Sequence, residues 1–244
     1  MTDWRARKGP IGVLTGAGIS TDSGIPDFRG PRGAWTKDPI AELLSTYQNY
    51  VADPELRARA WLARRDNPAW TATPNDAHRA LARLAAERQV GIITQNIDRL
   101  HQRAGSDTVV EIHGNMFEVV CVDCEFTDSM AATLEKVAAG DPDPACPECG
   151  GILKAATIMF GQHLDSDAIR AAVQIAETAE IFLAVGSTLQ VEPAASMCAV
   201  AVDAGADLVV VNAEPTPYDE YAAEIVREPI GVALPRLVSE ILGD

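Results

Sequence analysis

Two Cys-x-x-Cys pairs, Cys121-Val-Asp-Cys124 and Cys146-Pro-Glu-Cys149, lie twenty-one residues apart in a chain of 244. That spacing matches the ligand set of a four-thiolate zinc site, and Pro147, Gly150 and Gly151 supply the tight turn that a zinc knuckle needs. A redox dithiol or a disulfide is the competing reading. A metal-held module of this kind takes up only the segment from about 118 to 154, so the rest of the chain must supply a core of another sort. At this length the chain can hold one large α/β core, alone or with a small insertion. The fifth cysteine, Cys198, sits in the apolar run 194–200, where burial accounts for it without chemistry.

Short runs rich in Val and Ile, at 11–14, 90–93, 109–112, 181–185 and 208–211, read as buried parallel strands. Between them the spacing predicts helices over 76–88, 167–179 and 193–204, the last with proline in its first turn. This alternation argues for a doubly wound α/β sheet. Two stretches break the rhythm. Residues 32–74 hold three of the four tryptophans and a helix over 54–65, while 118–154 hold the cysteine pairs around a helix over 128–139 with Asp128 as its expected N-cap. The expected division is therefore 1–31, 75–117 and 155–244 for the large domain, with 32–74 and 118–154 together making a smaller one.

The formal net charge of −15 repels phosphate backbones and anionic lipid and favours basic partners such as lysine-rich polypeptide segments. A solvated acidic surface accounts for the same excess. The ribbon segment carries only Lys136 and Lys154 against several Asp and Glu, so a zinc-ribbon module for nucleic acid lacks its basic patch. No segment reaches the ~18 apolar residues of a membrane span and no charged leader precedes the first apolar run, so a cytoplasmic protein is expected.

After the first strand comes Thr15-Gly16-Ala17-Gly18-Ile19-Ser20, where small residues allow backbone amides to approach a pyrophosphate. A dinucleotide fingerprint would place a third glycine at 21, which is Thr21, and would continue into a long helix; here Ser23-Gly24-Ile25-Pro26 follows instead. The loop is a nucleotide site of a modified kind, and a hydride-transferring dehydrogenase loses ground. Gln95, Asn96 and Asp98 emerge at the same sheet edge, able to orient a ribose, a carboxamide or a water. Gly186-Ser187-Thr188 and Asn212-Ala213-Glu214 close two further strands there; a ribose contact from Glu214 and a plain polar strand end remain alternatives. His113, beside the permissive Gly114, is the best general base among the four histidines. His78 reads as a packing or capping residue of its helix, and His101 and His163 as loop or helix-edge residues.

Together these residues resemble the sirtuin family, the NAD-dependent protein-lysine deacylases. The matching motifs are Gly16-Ala-Gly-Ile-Ser20, Ser23-Gly-Ile-Pro-Asp-Phe-Arg-Gly30, Thr94-Gln-Asn-Ile-Asp98, Ile112-His-Gly114, both cysteine pairs, Phe160-Gly161, Gly186-Ser-Thr188 and Val211-Asn-Ala-Glu214. They keep the family's order and span nearly the whole chain.

The resemblance implies a Rossmann-like domain, a small domain made of a zinc ribbon and a helical module, and a cleft between them. It puts NAD against Gly16, Ala17, Gly18, Ser20, Asp27, Phe28, Arg29, Gln95, Asn96, Ile97 and Asp98. The adenosine half would lie near Gly186, Ser187, Thr188, Asn212, Ala213 and Glu214, with the backbone of Ile230 on the adenine. An acyl-lysine peptide would add as a strand between Phe160-Gly161 and the segment at Val191. In family chemistry the acyl oxygen displaces nicotinamide, His113 deprotonates a ribose hydroxyl that attacks the resulting imidate, and Asn96 orients ribose and water. Asp98 and the Ile97 backbone hold the carboxamide, and Phe28 shields the reactive face. Water then yields free lysine and O-acyl-ADP-ribose. The four thiolates fill the shell of a structural Zn2+, which takes no part.

Members that prefer acidic acyl groups carry Tyr-x-x-Arg where this chain has Trp61-Leu-Ala-Arg64, so a carboxylate could still meet Arg64, although a solvated helix face is the favoured reading of Arg64 and Arg65. Acetyl is the first expectation, with succinyl and longer groups open. Gln162 stands where many bacterial members have Glu. The rival enzyme on this scaffold is an NAD-dependent mono-ADP-ribosyltransferase.

Overall fold

The computed structural model describes residues 3–27, 33 and 43–244. Its strands are β1 (Ile11–Thr15), β2 (Val90–Thr94), β3 (Val109–Glu111), β4 (Gly114–Cys121), β5 (Thr127–Ser129), β6 (Leu153–Thr157), β7 (Ile181–Val185), β8 (Asp207–Val211) and β9 (Glu224–Val226). The α-helices among the described residues are α1 (Tyr47–Ala52), α2 (Pro54–Arg65), α3 (Asp76–Glu87), α4 (Leu100–Ala104), α5 (Met130–Ala138), α6 (Ser166–Thr178), α7 (Met197–Asp203) and α8 (Ile230–Leu242). Two compact units result: Met1–Asp27, Ala72–Ile112 and Asp165–Asp244 form the larger, Phe28–Thr71 and His113–Leu164 the smaller. The smaller takes in 113–117 and 155–164, which the sequence pattern assigns to the large domain, because β4 and β6 pair with each other across those residues.

In the larger unit six strands lie in the order β3-β2-β1-β7-β8-β9, each pair parallel. Every residue of β1 and β7 is buried, the condition under which near-continuous apolar runs form strands covered on both faces. Alternate residues Ile11, Val13, Ile181, Leu183, Val209 and Val211 share one core with Leu81 and Leu84 of α3 and Leu234 and Leu237 of α8. Strand order runs outward from β1 on one side and from β7 on the other, so the β1/β7 boundary is the topological switch point, where open α/β sheets bind ligands at the carboxyl ends of their strands.

Two expected helices shift. The 193–204 helix contracts to Met197–Asp203. The ribbon helix starts at Met130 and is capped by the Ser129 side chain on Ala132 N at 3.2 Å, not by Asp128, since 127–129 pair with β4 as a short strand. The terminal helix α8, which the apolar pattern did not announce, carries Gly231 and Pro235 within it.

The smaller unit is built on an antiparallel sheet, β5-β4-β6. Trp61 of α2 is fully buried against Val119, Cys121, Met130, Val137, Cys146 and Leu153, so helical module and ribbon share one core. Arg57 reinforces this by pairing with Asp143 at 2.8 Å while donating to the Tyr50 and Val51 carbonyls. No helix among the described residues is long and apolar enough to cross a membrane.

Candidate active site and metal centre

Cys121 ends β4, Cys124 follows in its turn, and Cys146 and Cys149 flank a second turn pinned by the Ala145–Ile152 bridge. Their four Sγ atoms lie within 4.8 Å of one another, with Cys121–Cys149 at 3.5 Å and Cys124–Cys146 at 3.7 Å. A tetrahedral shell with Zn–S near 2.3 Å sets its sulfurs about 3.8 Å apart, close to the two short spacings seen here, so the donor set fits zinc. Asp123 N and Gly151 N donate to Cys121 Sγ and Cys149 Sγ, the outer hydrogen bonds that orient thiolate ligands. The four cysteines are arranged to bind a structural zinc.

In the larger unit the strand register brings the polar strand ends into one row. Thr15 pairs with Thr94 on one side and with Val185 on the other, and Val185 pairs with Val211. The next residues, Gly16, Gln95, Gly186 and Asn212, therefore leave the sheet side by side. Gly16 N donates to Val185 O and Gly18 N to Gly186 O, interlocking the two glycine turns. A Cβ on Gly16 or Gly18 would meet Gly186 O at 2.7 or 2.9 Å, which explains both glycines by packing. Those two N–H groups are spent inside the protein.

Ala17–Ser23 forms a 3₁₀ turn that stops at Gly24 with φ 84, in place of a long helix. Within it the buried Ser20 donates to Asp98 Oδ2 at 2.7 Å, and Asp98 Oδ1 accepts from Leu100 N at 2.9 Å. Burial pushes the Asp98 carboxyl above its ordinary range, opposed by these two bonds to its ionised form. Asn96 Nδ2 donates to Gly16 O and Ser20 Oγ, both at 3.1 Å. With both amide protons committed, the group Asn96 still offers is its carbonyl oxygen. Gln95 Nε2 donates to Ser187 Oγ at 2.9 Å. Ala17, Ile97 and Thr188 are half-buried beside these groups in sequence, as is Asp27, while Phe28 and Arg29 lie outside the described residues. Arg227 donates to the carbonyls of Asn212 and Glu214, holding that loop with Ala213 and Glu214 exposed. Ile230 opens α8 and is half-buried.

In the smaller unit His113 is half-buried and its carbonyl accepts from Ile158 N at 2.8 Å. Gly114 follows at φ 71 with its Cα against Ala156 O, where any side chain would collide. Phe160 pairs along one edge with the 45–47 segment, its N–H donating to Ser45 O and its carbonyl accepting from Tyr47 N; Gly161, at φ 87, is exposed beside it. Gln162 closes the same turn by accepting from Met159 N. In the larger unit the carbonyl of Val191 accepts from Ala195 N.

Trp61 and Arg64 are also placed differently from a solvated face. The Arg64 guanidinium lies over the Tyr50 and Trp61 rings at 5.4 and 5.3 Å, and its Nη1 is buried with no hydrogen-bond partner among the described residues. Burial pushes its pKa down. Arg65 alone is solvated, paired with the adjacent Asp66. Of loop and helix edge, the structure places His101 at the second position of the short helix α4, where it is buried; His78 of α3 is buried too and completes a capping box with Asn75. Thr15, Thr94 and His101 were not singled out by the sequence pattern; the signal that marks them is a Thr ending each of two adjacent strands just before Gly16 and Gln95.

The Sir2 family model matches residues 16–193. NAD-dependent protein deacetylase 2 of Streptomyces coelicolor is 54% identical over 233 residues, covering 93% of this chain and 96% of that protein. NAD-dependent protein deacylase 2 of Pyrobaculum aerophilum is 41% identical, covering 94% and 90%. Among solved structures, a Sir2 with p53 peptide and NAD+ superposes at TM-score 0.86 with 36% identity over 99% of this chain and 96% of that one. A Sir2 bound to a propionylated peptide does so at TM-score 0.87 with 35% identity and the same coverage. This chain belongs to the Sir2 family, the sirtuin-type NAD-dependent protein deacetylases.

Proposed function

We propose that the large unit holds NAD at the carboxyl edge of its sheet, and that His113 acts as general base in transfer of an acyl group from lysine to ADP-ribose. The observation that carries this reading is the row of strand ends, where Asn96, Ser20 and Asp98 are mutually hydrogen-bonded beside the interlocked glycine turns. Asn96 offers Oδ1 to a ribose hydroxyl, a donor that a carbonyl oxygen suits. Asp98, held by Ser20 and Leu100, keeps acceptor capacity for a carboxamide N–H, with the Ile97 backbone beside it. Gln95, Gly186, Ser187 and Thr188 flank the phosphate-bearing stretch, and Asn212, Ala213, Glu214 and Ile230 the adenosine. Asp27 is assigned to the nicotinamide side, together with Phe28 and Arg29, which lie outside the described residues. His113 takes a proton from the ribose. Backbone groups of Gly161 and Val191 take the peptide, and the acidic surface favours lysine-rich segments around the modified side chain. Four thiolates poised for zinc suit the reducing cytoplasm, which we assign as its compartment.

Mass spectrometry of the zinc-loaded protein with an acetyl-lysine peptide, with and without NAD, tests the reading. Deacetylation with release of nicotinamide and O-acetyl-ADP-ribose is the expected result. His113→Ala should lower it by about 10²–10⁴-fold, and Asn96→Ala should lower kcat/KM for NAD by about 10- to 100-fold. ADP-ribose on the acceptor peptide with the acetyl group intact would instead identify a mono-ADP-ribosyltransferase.

Acetyl is the preferred acyl group in this reading. A second preference, for acyl groups ending in a carboxylate, is favoured by Nη1 of Arg64, which has no partner among the described residues and belongs to a guanidinium stacked on the Tyr50 and Trp61 rings. If it holds, Arg64→Met removes desuccinylation while sparing deacetylation; equal losses on both peptides would dismiss it.

A further inference from the structure

Behind the strand-end row, two histidines are packed ring against ring. His78 of α3 and His101 of α4 lie with centroids 4.8 Å apart, 0% and 1% exposed. His101 Nε2 is 3.0 Å from Thr15 Oγ1, and Thr15 Oγ1 donates to Thr94 Oγ1 at 2.8 Å. With the Thr15 proton directed to Thr94, Nε2 of His101 must carry the proton that reaches Thr15, which selects its tautomer. Thr94 Oγ1 also accepts from Asn96 N at 3.1 Å. On the other side, His78 Nδ1 bonds Asn75, whose Nδ2 donates to Ile19 O and Ser23 Oγ. The pair thus reaches both ends of the glycine turn, Thr15 before it and Ile19 to Ser23 within it.

Each ring keeps one nitrogen, His101 Nδ1 and His78 Nε2, buried and without a partner among the described residues. A buried imidazole with half its polar capacity unmet is a poor core filler, since an apolar ring of similar volume would carry no such penalty. What the imidazoles supply is the bond to Thr15 and the bond to Asn75. Burial, and for His101 the neighbouring His78, drives these rings to about 3 and about 4, so both stay neutral and keep the same donors throughout the neutral range.

We propose that His101, supported by His78, is a positioning residue for the NAD-dependent reaction: through Thr15 and Thr94 it fixes Asn96 and the glycine turn in the arrangement that receives NAD. This rests on the NAD site assigned above.

The test compares wild type with His101→Phe, His101→Gln, Thr15→Val, the His101→Phe/Thr15→Val double variant and Asn96→Ala, each checked for zinc content and thermal midpoint. Kinetics with varied NAD at saturating acetyl-lysine peptide are joined by amide hydrogen exchange on the NAD-free proteins. For His101→Phe the expectation is a raised KM for NAD, a kcat/KM about tenfold lower, and faster exchange at Gly16, Gly18 and Asn96 with β8 unchanged. His101→Gln, whose amide can still donate to Thr15, should recover most of the loss. The double variant should be no worse than either single one, because both cut the same bond. A folded His101→Phe with wild-type KM and exchange overturns the proposal, as does full additivity with Thr15→Val or a Gln variant no better than Phe. If His101→Phe does not fold, Thr15→Val decides alone, and an unchanged kcat/KM there overturns it. Asn96→Ala separates the two levels: wild-type activity in that variant defeats the NAD-site assignment itself, whereas an impaired Asn96→Ala beside an intact His101→Phe defeats only this inference.

Discussion

Arg64 and Lys154 put two cationic side chains into the smaller unit, neither of them ion-paired among the described residues. Lys154 is 5% exposed, its ammonium bonded only to the Ala155 and Thr157 carbonyls. Burial, and secondarily the charge of Arg64, lowers its pKa from 10.5 to about 8. Below pH 8 both folded and unfolded chains hold this proton, and the cost of burying the charge is fully present. Between about 8 and 10.5 the folded protein sheds a proton that the unfolded chain retains, so stability rises with pH in that window. Lys154→Met should abolish the rise. Urea midpoints at pH 7.5 and 9.5, with zinc saturating, should show the variant's advantage over wild type shrinking by on the order of 2 kcal/mol between the two pH values. A constant difference would mean that the ammonium is not held in a desolvated site.

At the scale of elements, legibility followed how local the signal was. Helix α2 keeps its expected bounds because Asp53 caps it and Pro54 sits at its first position, both readable in the sequence. Strand β7 is legible as an uninterrupted apolar run. Helix α8 was hidden by Gly231 and Pro235, although its stripe of Ala233, Leu234, Leu237, Val238 and Ile241 fills the same core as α3. Strands β5 and β9 are three residues long and half polar, and only their neighbours make them strands. The candidate site divides the same way. Residues that follow an apolar run, such as Gly16, Gln95 and Asn212, are placed by the strand ending, whereas the burial of His101 is set by α3, distant in sequence. The zinc clip lies at the end of β4 and against β6, and Cys121 and Cys146 belong to the core around Trp61. Metal removal should therefore unfold the ribbon together with α2 and not the turns alone. Near-ultraviolet circular dichroism and tryptophan fluorescence during chelation should report loss of Trp61 and Trp70 packing in step with zinc release; zinc loss with unchanged tryptophan signals would count against it.

For the molecule as a whole, neither unit is continuous in sequence. The smaller is made of two excursions from the larger, leaving after Asp27 and Ile112 and returning at Ala72 and Asp165. The arrangement explains how one chain carries two cores of different origin, one made by apolar strands and the other completed by thiolates. It also explains why residues next to each other in sequence, such as Ile112 and His113, belong to different units.

The position of β1 at the centre of the six-stranded sheet bears on how the protein is born. Its partner β7 begins 170 residues later in the chain, with Ile181 opposite Ile11. At roughly 5–20 residues per second of synthesis, β1 waits on the order of ten to thirty seconds on the ribosome with one edge unpaired. The last zinc ligand, Cys149, precedes Ile181 by 32 residues, so the metal-held unit is free to close only in roughly the final two to six seconds of that interval, while the sheet is still half built. The nascent chain thus ends this wait with its metal ligands all present and its nucleotide framework still open along the very seam at which the glycine turns will later interlock.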